Sequence, residues 1–517
     1  MTLRIGIDVG GTNTDAIVVD EDGKVLAATK AATTLDPFDG IREALGRVIE
    51  HIDRSQVTQA MLGTTHPVNA LIQRRDLDRV GALRLAAPAS LGVNPGATWP
   101  EDLHAEIIGP VAIIKGGHEY DGTEISPLDE DAVRAFAAEC AKAEVDAIAV
   151  SAPFSPASNE HELRAGEILA QELGDDFPIT LSHQVGALGL LERENATIIN
   201  ASLLSVAQHV VEGFHAALTE NGLQVEAYLT QNDGTLMSAE DAVRFPVLTL
   251  GSGPTNSMRG ACSLAGISDA IVIDVGGTSS DVGILVDGFP RESTAAVEVG
   301  GVRTNFRMPD LISIGIGGGT IVRGSGDSLT VGPDSVGYRV ITEAIGRGGD
   351  TLTLSDVSTL AGRLSGFCDE EMLGDVPKES AEQAIAWVDA QIGIMVDRMK
   401  ASRHMLPLIV VGGGSHLVPD EIEGVSEVIR PENHAVANAY GAAIAEASGS
   451  VDLVFRYEER SREDCLEEAR WKAMDAAVRA GADPKDVRVT SVAEIPLTYV
   501  PGQASRVQVK AAGKLLK

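Results

Sequence analysis

The hexapeptide Ile-Asp-Val-Gly-Gly-Thr occurs twice, at residues 7–12 and 273–278, and it restricts the fold more tightly than any other feature of the chain. Each copy ends a short apolar run in Asp, turns through paired glycines and enters a second apolar run. Residues 5–23 read IGIDVGGTNTDAIVVDEDG, and residues 271–288 read IVIDVGGTSSDVGILVDG, with Asp15 and Asp281 at the same offset. Two apolar runs joined by a tight turn form a β-hairpin, unlike the strand–loop–helix of a dinucleotide-binding motif. Two such hairpins far apart in one chain predict duplicated lobes that face each other.

The chemistry of the turns follows from their residues. Gly10-Gly11 and Gly276-Gly277 let consecutive amides converge on an anion. Thr12, Asn13 and Thr14, and likewise Thr278, Ser279 and Ser280, add side-chain donors where phosphate oxygens would lie. Asp8 and Asp274 terminate the first strands and are expected to point into the cleft. There a carboxylate suits a hydrated Mg²⁺ or the orientation of an attacking nucleophile, and the residues do not divide these roles between the two acids. A third cluster, Gly412-Gly413-Gly414, follows the apolar run 408–411 and leaves room for a flat ring and ribose. Pro254 to Ala265 and residues 435–447 read as helices of small side chains, which can cross at close range as a hinge between lobes requires.

Composition narrows the ligand and the setting. A chain of 517 residues exceeds one hydrophobic core, so two or three domains are expected. A net charge of −34 argues against a nucleic-acid surface and requires any polyphosphate to be held locally, by backbone amides and a metal ion. Cys140, Cys262, Cys368 and Cys465 stand singly, as reduced thiols of a cytoplasmic protein would. Asp8, Asp15 and Asp20 interrupt the first 20 residues, so no signal peptide is expected, and no apolar run reaches the length of a membrane span.

An α/β architecture is expected throughout. The first lobe is drawn over residues 1–190, with buried strands at 80–86 and 146–152 and amphipathic helices at 127–143 and 160–173. The second lobe with its connecting helices is drawn over 191–448, and a small α+β appendage over 449–517. In the last segment Ser461 and Asp464 have the spacing of a helix N-cap and its acidic partner.

The order of the elements is phosphate hairpin, small-residue helix, phosphate hairpin, glycine loop, small-residue helix. It resembles the sugar kinase, Hsp70 and actin superfamily, which implies ATP held between two actin/Hsp70-like lobes. A closer resemblance rests on LGTTHPVNALIQRR (62–75), SHQVGALGLLERENATIINASL (182–203), TQNDGT (230–235), SGPTNSMRGA (252–261), FRMPDLISIGIGGGT (306–320), VGPDSVGY (331–338) and GGDTLTLSD (348–356). These segments resemble the A-type members of the hydantoinase/oxoprolinase family nearly end to end. The resemblance implies ATP- and Mg²⁺-dependent opening of a cyclic amide, such as a hydantoin, 5-oxoproline or lactam, together with a separate B-type subunit. Carboxylases that activate a ketone or bicarbonate share the ATP machinery, and a nucleotide-driven activator without a small substrate is a third reading.

Within the family-like segments, Thr64, Thr65, Asn69 and Arg307 are candidate substrate-binding residues, and Gly317 and Gly318 join the cofactor-binding set. Arg303, Asn305 and Asp310, and the group Glu192, Arg193, Glu194 and Asn195, fit either a ligand or structural ion pairs and caps. His118 with Asp121, and His183, are residue types that bind divalent metals, although none stands in a known metal spacing. Ser252 lacks the full pattern of a nucleophile elbow, which argues against serine hydrolysis.

Overall fold

Both hexapeptide copies fold as antiparallel hairpins of matching register. In the first, Leu3–Val9 pairs with Asn13–Val19 so that Asp8 stands opposite Asp15. In the second, Ala270–Val275 pairs with Ser280–Val286 so that Asp274 stands opposite Asp281. The computed structural model describes residues 2–10, 13–32, 37–293, 296–400, 404–458, 460–498 and 503–516, so Gly11 and Thr12 lie outside the described residues.

Each hairpin is the centre of a sheet. The first strand Leu3–Val9 runs parallel to Val57–Thr64, which runs parallel to Glu226–Thr230. The sheet continues through Leu236–Ser238 to the terminal strands Ala447–Arg456, Ala504–Gly513 and Arg488–Pro496, nine strands in all. The terminal α+β segment is therefore hydrogen-bonded into the first hairpin's sheet, with its helix Arg462–Arg479 covering the strands through Ala469, Ala473 and Ala477. Ser461 caps that helix by accepting from the Asp464 amide. In the second sheet Ala270–Val275 runs parallel to Leu408–Val411. A separate four-stranded parallel sheet, with Val80–Ala87 and Ala147–Ser151 at its centre, carries Glu130–Lys142 and Glu160–Leu173 on one face and Leu190–Ser202 on the other.

The alternation of side chains along each hairpin strand decides what reaches the cleft. Ile5, Ile7 and Val9 turn into a core with Ile41, Leu45 and Phe214 from the helices Pro37–Val48 and Leu204–Glu220. Ile271, Ile273 and Val275 likewise pack against the long helix Lys378–Met399. The opposite faces, which include Gly6 with Asp8 and Val272 with Asp274, turn toward the two small-residue helices Ser252–Ala265 and Ala437–Ile444. Both faces of each central strand are covered, which explains their near-continuous hydrophobic character.

Those two helices cross with backbone against backbone. A Cβ on Gly260 would collide with the Ala437 carbonyl, and one on Gly441 with the Asn256 carbonyl. Gly6 meets the same helix at Ala439 and Ala443 with equally little room. Among the described residues no helix is long and apolar enough to cross a membrane. Adding one methyl at this crossing must separate the lobes or break the helix. Gly441→Ala is expected to lower the unfolding free energy by ~3 kcal/mol, measured by urea denaturation, with overpacking as the cause.

Candidate active site

The two hairpin turns open onto one cavity of about 470 Å³ between the lobes. Gly10 and Asn13 line it from the first turn, and Gly276, Gly277, Thr278 and Ser279 from the second. Gly412 and Gly413 close one side, and Thr65 and Asn69 another. The backbone enters Gly412 at φ +89°, and a Cβ there would collide with the Asp274 carboxylate and the Val275 carbonyl. Only glycine lets this loop pass so close to the end of the hairpin strand.

Asp15 and Asp274 line the cavity, and Asp8 and Asp281 stand cross-strand from them at the matched hairpin positions. Asp274 lines it and is half-buried, and burial raises its carboxyl from the usual range while the Ser257 hydroxyl opposes the rise. Asp8 lies just behind the wall at 3% exposure. Its Oδ2 accepts from Asn438 Nδ2 at 2.9 Å, while its buried Oδ1 has no hydrogen-bond partner. Burial, reinforced by the charges of Asp15 and Asp274, pushes the Asp8 carboxyl up to about 7. Asp281 rises to about 6, again mainly through burial, while accepting from the Ser313 hydroxyl. Asp15 is also raised by burial, against which Lys30 acts directly, its Nζ 2.6 Å from Asp15 Oδ1.

Acids outnumber bases at this wall. An orphaned carboxylate oxygen beside a second raised carboxylate is the donor set that a hard cation such as Mg²⁺ would complete. The residues present therefore fit a metal and a polyphosphate together.

Several expected residues stand elsewhere. Thr14 is buried in the hairpin ladder, and Thr64 is buried with its hydroxyl 3.0 Å from His66 Nδ1. Thr65 Oγ1 donates to the Val9 carbonyl at 3.2 Å and accepts from Asn69 Nδ2 at the same distance, so both brace the first turn as well as facing the cavity. Gly317 and Gly318 do not line the cavity. Their turn clamps the second hairpin from behind, with the Gly318 amide donating to the Gly276 carbonyl at 3.0 Å and that of Gly319 to Gly277 at 2.7 Å. Gly414 donates its amide to the Val275 carbonyl at 2.7 Å, outside the lining. Arg307 is not among the residues lining the cavity, and its Nε lies 3.8 Å from the Glu292 carboxylate.

Most of the other charged candidates are bonded within the protein. Glu194 forms a buried pair with Arg84 at 2.5 Å and accepts from the Ser151 hydroxyl. Asn195 accepts from the Trp99 ring nitrogen and donates to the Arg303 carbonyl, Arg193 donates to the Ala187 carbonyl, and Asn305 Nδ2 holds the carbonyls of Ala187 and Leu188. Asp310 pairs with Arg291. His183 Nδ1 lies 2.7 Å from Glu162. His118 groups with Glu124 and His161, and Asp121 instead accepts from the Thr123 amide. In that group His161 Nδ1 accepts the Gly117 amide at 2.9 Å, so its Nε2 bears the proton and faces Glu124 at 3.4 Å. Such a ring has no lone pair left for a cation.

Lys30, Ser257, His434 and Asn438 also line the cavity, and sequence reasoning missed all four. The duplicated Asp15 carried a signal in its offset from Asp8. Lys30, its partner on the third strand, carried none.

Residues 4–173 match the family described as hydantoinase/oxoprolinase N-terminal region, and residues 193–368 match the one described as hydantoinase/oxoprolinase. The alpha subunit of caprolactamase from Pseudomonas jessenii is 28% identical over 484 residues, covering 86% of this chain and 67% of that protein. The acetone carboxylase beta subunit of Xanthobacter autotrophicus is 25% identical over 435 residues, covering 75% of this chain and 58% of its own length. The crystal structure of ATP-dependent caprolactamase from P. jessenii superimposes with a TM-score of 0.78 at 22% identity, over 99% of this chain and 88% of that one, which shows a common fold. With matches that follow one another along the chain and a shared two-lobed architecture, this protein belongs to the hydantoinase/oxoprolinase family.

Proposed function

We propose that this chain is the ATP-binding, phosphorylating A-type subunit of an ATP-dependent cyclic-amide hydrolase, acting with a separate B-type subunit. The observation that carries the reading is the single cavity shared by both glycine turns and lined by Asp15, Asp274 and Lys30. An amide in an unstrained ring is a poor electrophile, and phosphorylating its oxygen makes the ring carbon open to attack by water. The turn amides and the side chains of Asn13, Thr278 and Ser279 would hold the phosphate oxygens, and Lys30 would add a positive charge beside them. Mg²⁺, which Asp274 and Asp8 would hold, would neutralise the terminal phosphates. The Gly412-Gly413 loop would face the nucleoside. Thr65 and Asn69, which line the cavity, would meet the substrate.

The relationship to acetone carboxylase supports a second reading, in which the same ATP chemistry activates a ketone or bicarbonate. Purified chain, with and without a B-type subunit, distinguishes them when ATP turnover is assayed against hydantoins, lactams, 5-oxoproline, and ketones with bicarbonate. Stimulation by a cyclic amide is the expected result. Stimulation by ketone and bicarbonate alone selects the carboxylase, and turnover indifferent to every compound selects a nucleotide-driven activator.

Four further outcomes are expected. Asp274→Asn abolishes ATP turnover with unchanged circular dichroism, whereas Lys30→Met weakens ATP binding about ten-fold, read by calorimetric titration. Mg²⁺ affinity, measured in the presence of ATP, rises between pH 6 and pH 8 as Asp8 and Asp281 lose their protons. In the metal-free protein the Asp8 carboxyl is raised above its unfolded value, so its contribution favours the fold at low pH and is lost as pH rises through about 7. Asp8→Asn should consequently gain stability relative to wild type between pH 5 and pH 8, by roughly 2–4 kcal/mol in urea denaturation.

A further inference from the structure

Among the described residues lining the interlobe cavity, His434 carries the one aromatic ring. It stands beside the glycine loop, where the Gly412 amide donates to the His434 carbonyl at 3.0 Å. Asn433, in the left-handed conformation at φ +63°, turns the chain into this position just before the helix Ala437–Ile444 begins.

A histidine in a cavity with carboxylates suggests a proton carrier or a metal ligand. The hydrogen bonds of His434 exclude both roles. Its Nδ1 lies 3.1 Å from the Pro431 carbonyl, which can only accept, so Nδ1 carries a proton. In the neutral ring Nε2 then keeps the lone pair, and it accepts the Ser415 hydroxyl at 3.1 Å. Ser415 directly follows the three glycines and is itself buried. Both ring nitrogens are thus committed to the protein, and bonds to two separate segments fix the ring plane. What remains for a ligand is the carbon surface of the ring.

The neighbours leave space for a flat group. Gly412, which is bonded to His434, and Ala435 and Ala437, which follow it in the chain, line the same cavity with little bulk. Stacking of a base on an aromatic ring needs no polar partner, and its strength grows with the area in contact.

We propose that His434 is the platform on which the nucleobase stacks, and that this contact makes the cavity selective for purine over pyrimidine triphosphates. The inference rests on the ATP reading of the cavity and adds to it the residue that senses the base. A ring that offers no donor or acceptor acts equally on adenine and guanine, and contributes nothing to a polyphosphate that has no base. Ser415 is a positioning residue, which sets the ring plane through Nε2.

Calorimetric titration of the full chain with ATP, CTP and inorganic tripolyphosphate, each with Mg²⁺, separates the base from the phosphates. Wild type is expected to bind ATP about five-fold more tightly than CTP. His434→Ala should lower ATP affinity about ten-fold and remove the preference over CTP. Its tripolyphosphate affinity should stay within about two-fold of wild type, which also reports an intact fold. His434→Phe keeps a flat ring without nitrogens and should hold ATP affinity within about three-fold of wild type. Unchanged ATP affinity in His434→Ala, or a loss shared equally by ATP and tripolyphosphate, overturns the proposal and leaves the ATP reading standing. A wild-type protein that binds none of the three compounds overturns the ATP reading and the platform with it.

Discussion

The backbone contact between the helices Ser252–Ala265 and Ala437–Ile444 is the constraint on which the rest of the architecture depends. It brings the inner faces of two sheets close enough for their hairpin turns to line a common cavity. Any side chain larger than hydrogen at Gly260 or Gly441 would hold the lobes apart. The same contact divides the interlobe space into a front cleft and a rear cleft. The strand Leu3–Val9 passes beneath it, with Asp8 on one side and Arg4 on the other.

The front cleft pairs a geometric duplication with an electrostatic imbalance. Hairpin pairing sets Asp8 against Asp15 and Asp274 against Asp281, so each lobe contributes two carboxylates to a region that water reaches poorly. Lys30 opposes the rise at Asp15 without removing it, so all four carboxyls stay raised. A fold that tolerates such a concentration of like charge stores a driving force for binding cations. The clamp of Gly318 and Gly319 on the second turn, and of Thr65 on the first strand, holds this arrangement in register.

Local signals made the centre of the molecule legible in the sequence. The repeated hexapeptide specified the hairpins, since two apolar runs and a paired-glycine turn are short-range features. Small side chains in the two helices announced the close crossing. What the sequence concealed was tertiary. Gly317 and Gly318 have the composition of a ligand loop, yet they receive and donate backbone bonds behind the turn. Lys30 reads as a solvated strand residue because nothing nearby in the chain marks Asp15 as its partner. Arg307 sits in a family-like segment and still does not line the cavity, and Glu194 pairs with Arg84, 110 positions away. The terminal strands looked detached because their pairing with the strand at 236–238, Leu236 against Ala447, spans 211 positions.

That pairing has a consequence for how the protein is made. The Gln59 side chain donates to the Leu516 carbonyl at 3.1 Å, joining positions 457 apart. The sheet around the first hairpin thus acquires three of its nine described strands only after residue 446 has been made. Until then the strand Leu236–Ser238 presents an unsatisfied edge, the kind of surface on which nascent chains aggregate. Closing so long a loop is entropically slow, and chaperone protection during translation should matter more for this lobe than for its partner, whose hairpin and neighbouring strands all lie between residues 270 and 429.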